Sequence, residues 1–120
     1  MPQRILIVED STLVTDAFRI LIEASGYDVD VAATVAEAIQ LGSAKVVDLM
    51  LLDLTLPDGN GLEVLDGLRD RERAPRVTLA MTGHNDPKIR QSCLHAGCAD
   101  VLLKPLSIGE IVRHIERHLA

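Results

Sequence analysis

Five short apolar runs alternate with five amphipathic stretches, and this alternation restricts the fold more than any other feature of the chain. Apolar runs rich in Val, Ile and Leu are typical of strands buried on both faces of a parallel sheet. The second run is more polar and is expected at an edge. Right-handed crossovers through the amphipathic stretches then predict an α/β fold, a doubly wound parallel sheet covered by helices on both faces. The runs are residues 5–8, 27–31, 46–52, 77–81 and 101–103.

Capping signals place the helices between these runs. Ser or Thr followed three residues later by Glu predicts a helix start, Asp before Pro predicts another, and Gly predicts a helix end. The signals are Gly26, Thr34 with Glu37, Asp86 with Pro87, Gly97, and Ser107 with Glu110. Helical spacing predicts that the first helix turns Leu13, Ala17, Leu21 and Ile22 toward the core.

Length and charge limit the classes of function. The 120 residues suit one domain, expected to span residues 1–120. A net charge of −6 argues against direct binding to nucleic acid, which needs a basic face. Cys93 and Cys98 show no metal-binding spacing and are expected to pack as small apolar side chains. We see no secretory signal and no membrane-spanning run, which favours a cytoplasmic protein without membrane contact.

Polar residues follow four of the five runs. Ligands of doubly wound sheets bind at the carboxyl ends of the strands, so these residues are expected to share one rim. In chain order they are Glu9 with Asp10, then Asp53, then Thr82, and finally Lys104. Three carboxylates, a hydroxyl and an ammonium group at one rim are difficult to attribute to chance.

The residue types point to phosphoryl chemistry. Oxygen-only ligands favour Mg²⁺, which binds through a few carboxylates and would neutralise the site for an incoming phosphoryl group. Asp53 would then be the nucleophile that forms an acyl phosphate. Thr82 would donate a hydrogen bond to a phosphoryl oxygen, and Lys104 would supply a positive charge.

The chain resembles response-regulator receiver domains of two-component systems over nearly its whole length. The resemblance rests on motifs in this order: Glu9-Asp10, Asp53-x-x-x-Pro57-x-x-x-Gly61, Thr82, and Lys104-Pro105. Each motif is weak alone, but the set at these spacings is specific. The resemblance implies a flavodoxin-like (βα)5 sandwich with strand order 2-1-3-4-5.

The family also implies roles for these residues. Asp53 would accept a phosphoryl group from a sensor histidine kinase or a histidine phosphotransfer protein. Mg²⁺ would be held by Asp10, Asp53 and the backbone carbonyl of Thr55, with Glu9 acting through water. The Lys104–Pro105 peptide would be cis and would aim Lys104 into the site. Such a protein is not an enzyme in the usual sense, because it catalyses only its own phosphorylation and dephosphorylation.

The implied output is a rearrangement after phosphorylation. Thr82 would move toward the phosphoryl group, and the face of helix 4, strand 5 and helix 5 would signal to an unknown downstream protein; phosphorylation-dependent homodimerisation stays open. Thr55 and His84 occupy positions that tune the lifetime of the acyl phosphate in this family. Val101 stands where many members carry Tyr or Phe, and Glu9 where Asp is more usual.

Two alternatives remain. A pseudo-receiver would use the same fold as an interaction module without phosphorylation, and the missing aromatic residue at Val101 leaves this open. A haloacid-dehalogenase-type phosphotransferase also uses an Asp nucleophile with Mg²⁺. Its motif requires a second Asp two residues later, where this chain has Thr55, and its nucleophile follows the first strand.

Overall fold

The sheet of this protein has the predicted parallel topology. The computed structural model describes residues 2–120. Five strands form one parallel sheet in the order β2-β1-β3-β4-β5, which is the predicted 2-1-3-4-5 arrangement and confirms the fold class. The more polar β2 lies at an edge, as expected. The strands are β1 (Arg4–Val8), β2 (Asp28–Ala32), β3 (Leu49–Asp53), β4 (Val77–Thr82) and β5 (Asp100–Leu103).

Helices connect successive strands and cover both faces of the sheet. The predicted caps are present: Thr34 and Ser107 each accept from the N–H three residues later, and Asp86 accepts from Lys88. Gly97 ends its helix in the left-handed conformation at φ 108°. Within residues 2–120, no helix is both long and apolar enough to cross a membrane. The helices are α1 (Thr12–Ala24), α2 (Val35–Ala44), α3 (Leu62–Asp70), α4 (Pro87–Ala96) and α5 (Ile108–Leu119).

The sheet divides an aliphatic core into two layers. Successive residues of β1 alternate between them: Ile5 and Ile7 pack with α1 and α5, whereas Leu6 and Val8 pack with α2, α3 and α4. The Cys93 and Cys98 thiols are free and buried in the second layer, so the prediction that they pack as apolar side chains is confirmed. Both faces of the sheet are therefore closed, and its carboxyl edge is left for a site.

The predicted inner face of α1 is wrong at two of its four residues, Leu13 and Leu21, and right for the buried Ile22. Leu13 is 84% exposed and Leu21 is 42% exposed, whereas Phe18 and Ile22 are buried. Apolar residues cover more of this helix than one packing face can take, and the wide Phe18 side chain lies toward β1, β3 and α5. Thr15 can join the buried face because its hydroxyl donates to the Thr12 carbonyl.

The third strand begins three residues later than the apolar run suggests. Val46 is 69% exposed, and regular pairing starts at Leu49. Asp48 explains the boundary, because its side chain accepts a hydrogen bond of 2.7 Å from the backbone N–H of Arg4 at the start of β1.

Candidate functional site

The register of the sheet brings the predicted polar residues together at one rim. Val8 pairs with Leu52, so Glu9 and Asp53 follow at the same level of neighbouring strands. Thr82 pairs with Leu103, and the N–H of Lys104 donates to the Thr82 carbonyl at 2.7 Å. Parallel strands that end in register thus place residues from four parts of the chain at one edge.

Lys104 joins two buried carboxylates. Its Nζ lies 3.0 Å from Glu9 Oε1 and 3.0 Å from Asp53 Oδ2. Glu9 and Asp53 are only 4% and 5% exposed, whereas the Lys104 side chain is 30% exposed, so solvent reaches the ion pairs only from the side of the lysine. The peptide between Lys104 and Pro105 is cis, as the family resemblance implies.

The pKa values of the two carboxyl groups are shifted in opposite directions. Burial and the neighbouring Asp53 carboxylate raise the pKa of Glu9 to about 7, against the lowering effect of Lys104. Burial also raises the pKa of Asp53, but the neighbouring Glu9 carboxyl and hydrogen bonds from the Thr55 N–H and Lys104 outweigh it, so the Asp53 pKa is lowered. Asp53 therefore stays ionised near neutral pH, as a carboxylate nucleophile must be.

The loop after β3 fixes the second oxygen of Asp53. The N–H of Thr55 donates to Asp53 Oδ1 at 3.1 Å. Thr55–Leu56 then pairs with Gly59–Asn60 in a short antiparallel hairpin, with Pro57 exposed at its turn. A methyl group on Gly61 would lie 2.1 Å from the Asp53 carbonyl oxygen. Only glycine therefore fits where the loop passes back against the end of β3.

The acidic residues fit a divalent cation. One carboxylate oxygen from each of Glu9, Asp10 and Asp53 lies within 4.8 Å of the others. Glu9 Oε2 is buried without a hydrogen-bond partner among residues 2–120, so its lone pairs are available to a metal-bound water or a cation. Asp10 is exposed at the rim, and hard oxygen ligands of this kind favour Mg²⁺.

Thr82 and His84 lie on the opposite side of the site from Asp10. Thr82 is buried, and its hydroxyl oxygen accepts from the His84 N–H at 3.1 Å, which leaves the hydroxyl proton for another acceptor. His84 is exposed. Thr82 and His84 line the same small cleft.

Val101 leaves space where an aromatic side chain would fit. It is half-buried at the wall of a cleft of about 200 Å³ that reaches Thr82 and His84. Arg90 of α4 spans this region, with hydrogen bonds of 3.3 Å to the Val101 carbonyl and to Asp100. Arg90 therefore adds polar contacts between α4 and β5 to the apolar cluster that Ile89, Cys93 and Val101 share.

Every predicted site residue lies at or beside this rim, but two contacts were not predicted. The pairing of Glu9 with Lys104 joins residues 95 positions apart, which no local pattern reveals. Asp58 also binds the start of α2 through two backbone N–H groups. Its position between Pro57 and Gly59 indicates only a turn.

Comparisons with known proteins agree with this geometry. Residues 5–116 match the family described as the response regulator receiver domain. The polar-differentiation response regulator DivK of Brucella anthropi is 35% identical, with 99% of this chain and 98% of that protein covered.

Solved receiver domains share the fold. A CheY-like receiver domain protein of Methanospirillum hungatei JF-1 has a TM-score of 0.89 at 29% identity, over 99% of this chain and 94% of that one. The receiver domain of a sensor histidine kinase of Pseudomonas aeruginosa PAO1 has a TM-score of 0.86 at 28% identity, over 99% and 98%. That structure contains a magnesium ion coordinated in its active site cleft. This chain therefore belongs to the response regulator receiver domain family of two-component signalling.

Proposed function

We propose that this receiver domain is a phosphorylation-activated switch in which Asp53 accepts a phosphoryl group in a Mg²⁺-dependent reaction. The donor would be the phosphohistidine of a sensor kinase or of a phosphotransfer protein. The observation that carries the proposal is the buried Asp53 carboxylate, ionised and held 3.0 Å from the Lys104 ammonium group at an acidic rim. A carboxylate that served only as a helix cap would not need this pairing.

The metal site would be formed by Asp10, Asp53 and the carbonyl of Thr55, with Glu9 acting through water. When bound, Mg²⁺ supplies positive charge that offsets the carboxylates and the phosphoryl oxygens. The fit of these residues to a hard cation rests on the orphaned Glu9 oxygen and on the three converging carboxylates.

The chain itself supplies the nucleophile and part of the charge stabilisation. An Asp53 oxygen forms the new O–P bond while the P–N bond of the donor breaks and the donor imidazole keeps the electron pair. The Thr55 N–H holds Asp53 Oδ1, and Lys104 exchanges its contact with Asp53 Oδ2 for a phosphoryl oxygen. Thr82 donates its free hydroxyl proton to another phosphoryl oxygen, and Thr55 and His84 control the approach of hydrolytic water.

The signal would leave through the face formed by α4, β5 and α5. Movement of Thr82 toward the phosphoryl group would alter the cleft beside Val101 and the contacts of Arg90 with β5. Because Val101 has no ring to turn inward, this route relies on backbone shift and on Arg90. The downstream partner would be a protein that distinguishes the two arrangements of this face.

The proposal is tested by phosphorylation with a small donor. We expect wild-type protein incubated with acetyl phosphate and Mg²⁺ to gain one phosphoryl group in an intact-mass measurement. The Asp53→Asn variant, and wild type with the metal chelated, are expected to gain none. An adduct that persists on Asp53→Asn contradicts the assignment of the acceptor. No adduct on wild type, together with no response to beryllofluoride, favours the pseudo-receiver.

Mg²⁺ affinity is expected to rise as the pH increases through about 7, because the Glu9 carboxyl is protonated below its raised pKa. In the metal-free protein, the pH dependence of folding stability has the opposite sign to that of Mg²⁺ affinity. The folded state holds this proton more tightly than the unfolded state, so Glu9 stabilises the fold below pH 4.5 and that contribution is lost as pH rises toward 7.

Calorimetric Mg²⁺ titrations and metal-free unfolding on either side of pH 7 measure both effects. Glu9→Gln removes the titrating group and is the matched control. Equal pH dependence in wild type and Glu9→Gln would show that another group is responsible.

A further inference from the structure

The hairpin that follows Asp53 is hydrogen-bonded to the start of α2. Asp58 Oδ1 accepts from the backbone N–H of Val35 at 2.8 Å, and Asp58 Oδ2 accepts from the N–H of Ala36 at 3.2 Å. Both oxygens of the carboxylate are therefore engaged, and the contact spans 23 residues of sequence. A negative charge at a helix N-terminus is also favoured by the helix dipole.

Asp58 is not the N-cap of α2. Thr34 accepts from the Glu37 N–H at 3.1 Å, and Glu37 in turn accepts from the Ala33 N–H at 3.0 Å. These local contacts satisfy the N–H groups of Glu37 and Ala33. Asp58 adds a link between α2 and a loop from a different part of the chain.

The hairpin is also fixed to α3. The Asn60 N–H donates to Glu63 at 3.0 Å, and the Asn60 side chain accepts from the Leu62 N–H at 2.8 Å. With Asp58 attached to α2, the hairpin is held from both sides. Thr55 lies on its first strand, paired with Asn60, and donates to Asp53.

We propose that Asp58 is a positioning residue that orients the Thr55–Asn60 hairpin, and with it the Thr55 carbonyl, for divalent-cation binding beside Asp53. The inference deepens the proposed function and rests on it. Asp58 is exposed at the hairpin turn, so it acts through the orientation of the loop and does not touch the cation. Metal sites depend on such supporting contacts, because they limit the positions that the ligand atoms can adopt.

The test compares two variants, each of which removes one side chain that accepts hydrogen bonds from the start of α2. Asp58→Ala is expected to weaken Mg²⁺ binding about tenfold, the lower end of the cost of removing a supporting contact. Thr34→Ala removes the α2 cap without touching the hairpin, so we expect it to lower stability and leave Mg²⁺ affinity unchanged. Asp58→Asn keeps one acceptor oxygen and should fall between Asp58→Ala and wild type. Mg²⁺ affinity is measured by calorimetry, and stability by thermal unfolding without metal.

The outcomes separate this proposal from the one on which it rests. Wild-type affinity in Asp58→Ala overturns the role of Asp58 and leaves the phosphorylation switch intact. An equal loss of Mg²⁺ affinity in Thr34→Ala also overturns the role of Asp58. Affinity would then depend on an intact start of α2 and not on the contact between Asp58 and that helix. Failure of wild type to bind Mg²⁺ overturns both proposals.

Discussion

Lys104→Ala is expected to slow phosphorylation of Asp53 by acetyl phosphate by about a hundredfold or more, the usual cost of losing a preorganised charge at a reacting centre. The Lys104 ammonium group already lies 3.0 Å from Asp53, so it meets the incoming phosphoryl group without rearrangement of the backbone. The rate constant from a mass-spectrometric time course measures the effect.

Mg²⁺ binding is expected to change in the opposite direction. Lys104 neutralises the same carboxylates that would bind the cation, so its removal should strengthen Mg²⁺ affinity severalfold. A variant that binds metal more tightly and phosphorylates more slowly separates the two roles of the site. General unfolding would instead lower both the Mg²⁺ affinity and the rate of phosphorylation.

Lys45→Ala is the matched control, because Lys45 is exposed at the C-terminal end of α2, away from the rim. It should match wild type in both measurements. Lys104→Arg keeps the charge in a planar group and should recover part of the rate. A rate for Lys104→Ala within a few-fold of wild type would remove Lys104 from the mechanism.

Local patterns were sufficient to predict the sheet and the rim. Strand type and helix caps depend on neighbouring residues, and the carboxyl ends of parallel strands must meet once the order is known. Asp53, Thr82 and Lys104 can therefore be placed at one edge from the sequence alone. The pattern also predicted β2 as an edge strand.

The remaining features depend on contacts between distant parts of the chain. The periodicity of α1 could not show which of two apolar stripes faces the core, and packing of Phe18 decides that Leu13 and Leu21 stay exposed. The Glu9–Lys104 pair depends on how far the side chains extend. The Glu9 side chain reaches both Lys104 and the acidic cluster.

Gly61→Ala is expected to destabilise the fold by about 3 kcal/mol, the upper part of the usual range for overpacking a tight site. The added methyl group would lie 2.1 Å from the Asp53 carbonyl oxygen and 2.9 Å from the Leu54 Cα. Both atoms belong to the backbone that carries the proposed phosphoacceptor, so they cannot rotate away as a flexible side chain could. The start of α3 must move instead, and the 2.9 Å hydrogen bond from the Gly61 N–H to the Leu54 carbonyl is strained with it.

Thermal unfolding of Gly61→Ala should show a Tm lower by roughly 10 °C, as this loss of free energy implies for a chain of this size. Gly83→Ala is the matched control, because a methyl group there meets no atom within 4 Å and its φ is not in the left-handed region. It should unfold near the wild-type temperature. Equal Tm values for Gly61→Ala and wild type would show that the loop relaxes without cost. That result would contradict the steric explanation for Gly61, in which the backbone beside it is fixed and leaves no space for a methyl group.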